Sequence, residues 1–195
     1  MNLPNKITLT RIFLIPVFVL FYYLNVVPFN YIISAFIFTV ASFTDFLDGA
    51  IARKRNLVTS FGKFLDPIAD KVLVSTALII LLAPPVSASP FALEVFNLPN
   101  FLPAIFVLLI MARELIISGF RLVAAGKGLV ISADKSGKIK TFFTDVTIVW
   151  ILVFMSFDLP YLKLVGLILL GVSVLLTVYS GIECIVKNKH VVKDK

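Results

Sequence analysis

The sequence predicts an all-α polytopic membrane protein, with six transmembrane helices after a short N-terminal interfacial helix, in a single domain over residues 1–195. Three observations predict it. The chain is 59% hydrophobic and only 15% charged, whereas a soluble domain is about 45–50% apolar and about 25% charged. Its mean hydropathy is +1.03. Its apolar residues come in long blocks, and nothing alternates as a spanning strand of a closed barrel would. A bilayer core takes roughly 20 apolar residues per helix, so the chain holds about six spans with short connections and no separate soluble domain.

The elements follow in order. An interfacial segment is expected over Asn2–Thr10, then helices over Arg11–Leu24, Tyr31–Ala52, Ser60–Ala83, Leu102–Ala124, Ser136–Met155 and Tyr161–Val186. The first block lacks a small-residue cleavage site and reads as a span, not a signal. Pro28 punctuates the first connection. The longest connection, residues 84–101, is rich in proline, and its Phe91–Phe96 stretch is suited to the membrane interface. Gly126, Lys127 and Gly128 end the fourth helix, and Phe157–Pro160 makes a tight turn. The one cysteine, Cys184, sits in an apolar block and reads as a small buried hydrophobe.

The net charge of +7 reflects topology, and no nucleic-acid partner is implied. With six alternating spans both termini share a side. That side holds Lys6, Arg11, Arg53, Lys54, Arg55, Lys63, Lys71, Arg113, Arg121, Lys127, Lys135, Lys138, Lys140 and the four lysines after Val186, which is 17 of the 18 cations. Only Lys163 falls opposite. Lys and Arg gather on cytoplasmic loops, so both termini are expected in the cytoplasm and the chain in the cell membrane.

The chemistry concentrates in Asp45-x2-Asp48-Gly49-x2-Ala52-Arg53, eight residues, then Gly62-x3-Asp66-x3-Asp70. Asp45 and Asp48 are three apart, and Gly49 and Ala52 continue that helical face. Gly62, Asp66 and Asp70 step by four. A short basic loop makes the two helices antiparallel neighbours, so their acidic faces can meet. Four converging carboxylates repel one another, and ionisable groups at membrane depth are rare and usually functional. Carboxylate oxygens suit Mg²⁺ or Mn²⁺, and four of them suit two ions about 3.5–4 Å apart, an arrangement that serves phosphoryl chemistry. Gly49, Ala52 and Gly62 leave room for a ligand beside the backbone; ordinary small-residue helix packing explains any one of them equally well. Pro67 removes a backbone donor inside the third helix.

This pattern, Asp45 to Asp70, resembles the signature of the CDP-alcohol phosphotransferase family at each of its eight fixed positions, and the six-helix reading agrees along the whole chain. The resemblance implies that Asp45, Asp48 and Asp66 are metal ligands and that Asp70 is the general base, with a ligand role also open to it. It also implies that Gly49, Ala52, Arg53 and Gly62, with Asp48, form part of the CDP site, and that the protein is a homodimer. Pro4-Asn5-x2-Thr8-x2-Arg11 is similar to the family's nucleotide-side segment. Asn5, Thr8 and Arg11 then belong to the CDP site, although Asn5 can also serve as a helix cap and Arg11 as a topology charge.

Two further segments, Ala112-Arg113-Glu114 with Ser118-Gly119-x-Arg121, and Gly137-Lys138-x-Lys140-Thr141, resemble the branch of the family whose acceptor is glycerol 3-phosphate. Arg forks a phosphate and Lys supplies a point charge, so Arg121, Lys138 and Lys140 suit the acceptor phosphate. Arg113, Glu114 and Thr141 support them, with Arg113 expected to pair within the protein, Glu114 being one partner. Thr144 departs from that branch, which often carries Gln there, and Asp145 follows it inside the helix with its role open. The implied reaction is phosphatidyl transfer from CDP-diacylglycerol to glycerol 3-phosphate. A family member with another acceptor (serine, inositol phosphate or a phospholipid) is the nearest rival. A cation transporter and a scaffolding protein are the rivals of other classes. Transport sites lie near the midplane, in folds with internal repeats, and this chain shows no repeat; a scaffold gives no reason for four convergent acids.

Overall fold

The computed structural model describes residues 3–24, 26–54, 60–85, 90, 91, 93, 95–127, 129, 131, 135–157 and 159–189, with side chains for 8–24, 26–44 and those described from 65 onward. It contains six helices: α1 (Leu3–Tyr23), α2 (Asn30–Lys54), α3 (Ser60–Leu82), α4 (Leu102–Gly126), α5 (Lys135–Met155) and α6 (Pro160–Lys187). No strand occurs among the described residues. The expected bounds hold to within a few residues, with one correction. The N-terminal segment is not a separate interfacial helix but the first turns of a continuous α1. Pro4 sits in the first turn, where a missing N–H costs nothing, and no breaker lies between it and Pro16. Proline also opens α4 and α6.

α1 packs on α2 and α3, α2 crosses to α5, and α6 lies against α4 and α5. The shared core is built from Phe18, Phe38, Leu73, Leu78, Ile110, Ile148, Leu152 and Leu170, with the Phe18 and Phe38 rings 5.8 Å apart. Gly166 lets α5 and α6 approach, since a Cβ there would lie 2.9 Å from Ile151 Cγ1. The long connection contributes to the core as well: Phe91 and Leu93 are buried, and Phe96 meets Tyr161 edge-on.

Beside this apolar core several polar groups are buried, and many large apolar groups are exposed. Thr8, Arg11, Ser34, Thr147, Ser173 and Thr177 are buried, whereas Leu108, Leu115 and Leu122 on α4 are 65%, 68% and 75% exposed. Buried hydroxyls return to their own helix, as Ser34 does to Asn30 O at 2.9 Å, or meet across helices, as Thr147 and Ser173 do at 3.1 Å. α4 and α6 are long and apolar enough to cross a membrane, and only 22% and 33% of their most apolar stretches are buried. Soluble monomers rarely expose large contiguous apolar patches. Cys184 is buried, as expected.

Candidate active site

Asp66 and Asp70 lie on one face of α3, a turn apart and half-buried. The α1 segment that precedes the first apolar block reaches them. Thr8 is fully buried, and its Oγ1 donates to Asp66 Oδ1 at 2.6 Å. One turn further on, Arg11 is also fully buried, and its Nε donates to Thr44 Oγ1 at 3.4 Å. Thr44 directly precedes Asp45 on α2. The continuous α1 thus brings two of the residues expected at the nucleotide to the acid-bearing ends of α2 and α3, 33 and 58 residues away in sequence. Asp45, Asp48, Gly49, Ala52 and Arg53 fall on α2 and Gly62 on α3; their side chains, and that of Asn5 on α1, lie outside the described residues.

Beside Asp70 a cavity of about 40 Å³ opens between α3, α4 and α5. Asp70, Lys71 and Ser75 line it from α3, Glu114 from α4, and Lys140, Thr141, Thr144 and Asp145 from α5, with Val74, Leu78, Ile110 and Met111 as apolar floor. Thr141 donates to Gly137 O at 3.1 Å and Thr144 to Lys140 O at 2.8 Å, the local back-bonding that hydroxyls favour in helices.

Glu114 is the junction of the α4–α5–α6 side. Its Oε1 accepts from Arg113 Nη1 at 3.1 Å and from Lys140 Nζ. Arg113 also donates from Nε to Thr177 O at 3.1 Å and from Nη2 to Ser180 Oγ at 2.8 Å, both on α6. Gly181 makes room for this, since a Cβ there would lie 3.0 Å from Arg113 Cγ. The expected Arg113–Glu114 pair is therefore present, but Lys140 is not a spare cation: it is buried and matched by Glu114. Spacing along α5 could not reveal this, because the partner is on another helix. Lys138 is exposed and Arg121 half-buried, and neither lines the cavity among the described residues. Of the three cations that the sequence groups together, Lys140 lines the cavity among the described residues.

Asp145 is explained in part. Ser42 on α2 donates to its Oδ2 at 2.7 Å. Ser42 drew no notice in the sequence, although it stands three residues before Asp45, on the acid-bearing face.

The chain belongs to the CDP-alcohol phosphatidyltransferase family, whose model matches residues 1–179. Full-length relatives include a Bacillus subtilis (strain 168) protein, 43% identical over 98% of this chain and 97% of its own. A Rickettsia bellii (strain RML369-C) protein is 41% identical over 92% and 91%, and a Shigella flexneri protein 37% identical over 93% and 92%. All three bear the name CDP-diacylglycerol–glycerol-3-phosphate 3-phosphatidyltransferase.

Proposed function

We propose that this protein transfers the phosphatidyl group of CDP-diacylglycerol to glycerol 3-phosphate, giving phosphatidylglycerophosphate and CMP for phospholipid synthesis. Relatives named for that reaction match nearly the whole chain. The observation that carries the reading is the meeting of α1 with the acid-bearing helix through Thr8 and Asp66, next to a small polar cavity at Asp70.

Asp70 takes the proton of the acceptor's primary hydroxyl. That oxygen attacks the β-phosphorus in line, the bond from this phosphorus to the bridging oxygen breaks, and CMP leaves with the electron pair. Asp45, Asp48, Asp66 and Asp70 would hold Mg²⁺ or Mn²⁺, two ions in the sequence-based reading. The donor set fits: the acids are hard oxygen ligands, and a neutral hydroxyl on one oxygen of Asp66 orients a carboxylate in the manner of outer-shell partners. Bound ions supply positive charge to the pyrophosphate and the departing CMP. Asn5, Thr8, Arg11, Gly49, Ala52, Arg53 and Gly62 take the nucleotide. Lys138 and Arg121 meet the acceptor's phosphate at the cytoplasmic rim, while Lys140 shapes the cavity through Glu114.

The same reading has all six helices crossing the cell membrane, both termini and residues 53–59 in the cytoplasm, lipid tails in the bilayer and two copies forming a dimer. The cation bias and the apolar exterior support it. The assay is CMP release from CDP-dipalmitoylglycerol with Mg²⁺ and a panel of acceptors. Release with glycerol 3-phosphate, and not with serine or inositol phosphate, is expected; release with serine alone would sink the acceptor assignment.

A further inference from the structure

We propose that Asp145 determines acceptor specificity by accepting a hydrogen bond from the acceptor's non-reacting secondary hydroxyl. This rests on the glycerol 3-phosphate reading above. A dehydrated polyol must find a partner for each hydroxyl it buries. The primary hydroxyl goes to Asp70 and the phosphate to the rim. The secondary hydroxyl is left, and it enters the cavity that Asp70 shares with Asp145.

The cavity's size and lining fit that occupant. About 40 Å³ corresponds to roughly three waters, room for a three-carbon polyol and too little for an acyl chain. Val74, Leu78, Ile110 and Met111 give the same cavity an apolar share of its wall. Glu114 faces the same cavity, but its Oε1 takes both Lys140 and Arg113. Ser42 Oγ on another helix is one donor to Asp145, at 2.7 Å from Oδ2, and a carboxylate has room for several donors. Asp145 lies four residues beyond Thr141, one turn or about 6 Å along α5, on the side of the cavity away from the cytoplasmic rim. An acid at this depth is costly, and such acids are usually functional. Ser42 is a positioning residue: its bond fixes the carboxylate and ties α5 to α2 one turn before Asp45.

The test compares glycerol 3-phosphate with 3-hydroxypropyl phosphate, which lacks only the secondary hydroxyl, using CMP release in wild type, Asp145→Leu, Asp145→Asn and Ser42→Ala. Wild type should favour glycerol 3-phosphate by about ten- to a hundredfold in kcat/KM, the range of one hydrogen bond to a charged group. Asp145→Leu should bring the ratio near one, Asp145→Asn should leave an intermediate ratio because its amide oxygen still accepts, and Ser42→Ala should lower it less than Asp145→Leu. If Asp145→Leu slows both acceptors equally, or wild type has no preference, the proposal is overturned. Should Asp145→Leu fail to fold, Asp145→Asn decides, and an unchanged ratio refutes. Wild type releasing CMP with serine but with neither phosphate acceptor would defeat the acceptor reading itself, and this inference with it.

Discussion

Asp66 on α3 and Glu114 on α4 are both half-buried acids near Asp70, and they are held in opposite ways. Asp66 takes a neutral hydroxyl from Thr8. Glu114 takes two cations, Arg113 and Lys140. A hydroxyl orients a carboxylate and leaves its charge for an incoming ion, whereas two cations use that charge up. The first arrangement suits chemistry and the second suits architecture, since Arg113 continues to Thr177 and Ser180 and binds α4 to α6. A buried acid's partner, more than its burial, distinguishes the two roles.

The largest expected effect breaks the chemical side. Asp70→Asn should lower turnover by at least about 10²–10⁴-fold, the usual worth of a general base, while CDP-lipid binding and the helical circular dichroism remain. Substantial residual turnover would remove Asp70 as the sole base. Next, Asp66→Ala and Asp45→Ala should lose the metal-dependent part of CDP binding, read by calorimetry with Mg²⁺ and then with excess chelator. Wild-type metal dependence in either variant would end its assignment as a ligand.

The architectural side predicts a different phenotype. Glu114→Gln leaves Lys140 and Arg113 without their anion, and losing charge-assisted hydrogen bonds costs about 1.5–3 kcal/mol each. The variant should unfold earlier in a detergent-solubilised melt, with Lys140→Met added to it restoring part of the loss. A melt at the wild-type temperature would make Glu114 a functional acid like Asp66. The smallest effect belongs to Thr8→Val, which removes one hydrogen bond to a carboxylate, about 1.5 kcal/mol at the low end of the range for charged groups, and should raise the donor KM about tenfold at unchanged acceptor KM. A shifted acceptor KM would move Thr8 to the other substrate.

The two sides were unequally legible in the sequence. Asp45, Asp48, Asp66 and Asp70 declare themselves because steps of three and four place them on helical faces, which needs no knowledge of a neighbour. The helices were legible for the same local reason, in apolar blocks closed by proline and glycine. Lys140 shows the limit. Beside Lys138 it reads as one more phosphate-binding cation, and only the packing of α5 on α4 gives it to Glu114. Ser42 was hidden likewise, because a lone serine in an apolar helix carries no pattern until Asp145 lies opposite. The N-terminal segment was misdivided at Thr10 because its polar residues resemble an interface. In the fold Thr8 and Arg11 are buried, bonded to Asp66 on α3 and Thr44 on α2.

The central claim is that the acid-bearing half serves the donor while cations on α4 and α5 serve the acceptor. Glycerol 3-phosphate brings about two negative charges toward four carboxylates, a repulsive approach unless cations offset it. The most direct measurement titrates each substrate separately in Arg121→Gln, Lys138→Gln and wild type. Each substitution should raise the KM for glycerol 3-phosphate about ten- to a hundredfold, the value of one charge-assisted hydrogen bond, and leave that for CDP-diacylglycerol unchanged. A raised KM for CDP-diacylglycerol at an unchanged acceptor KM would contradict the account.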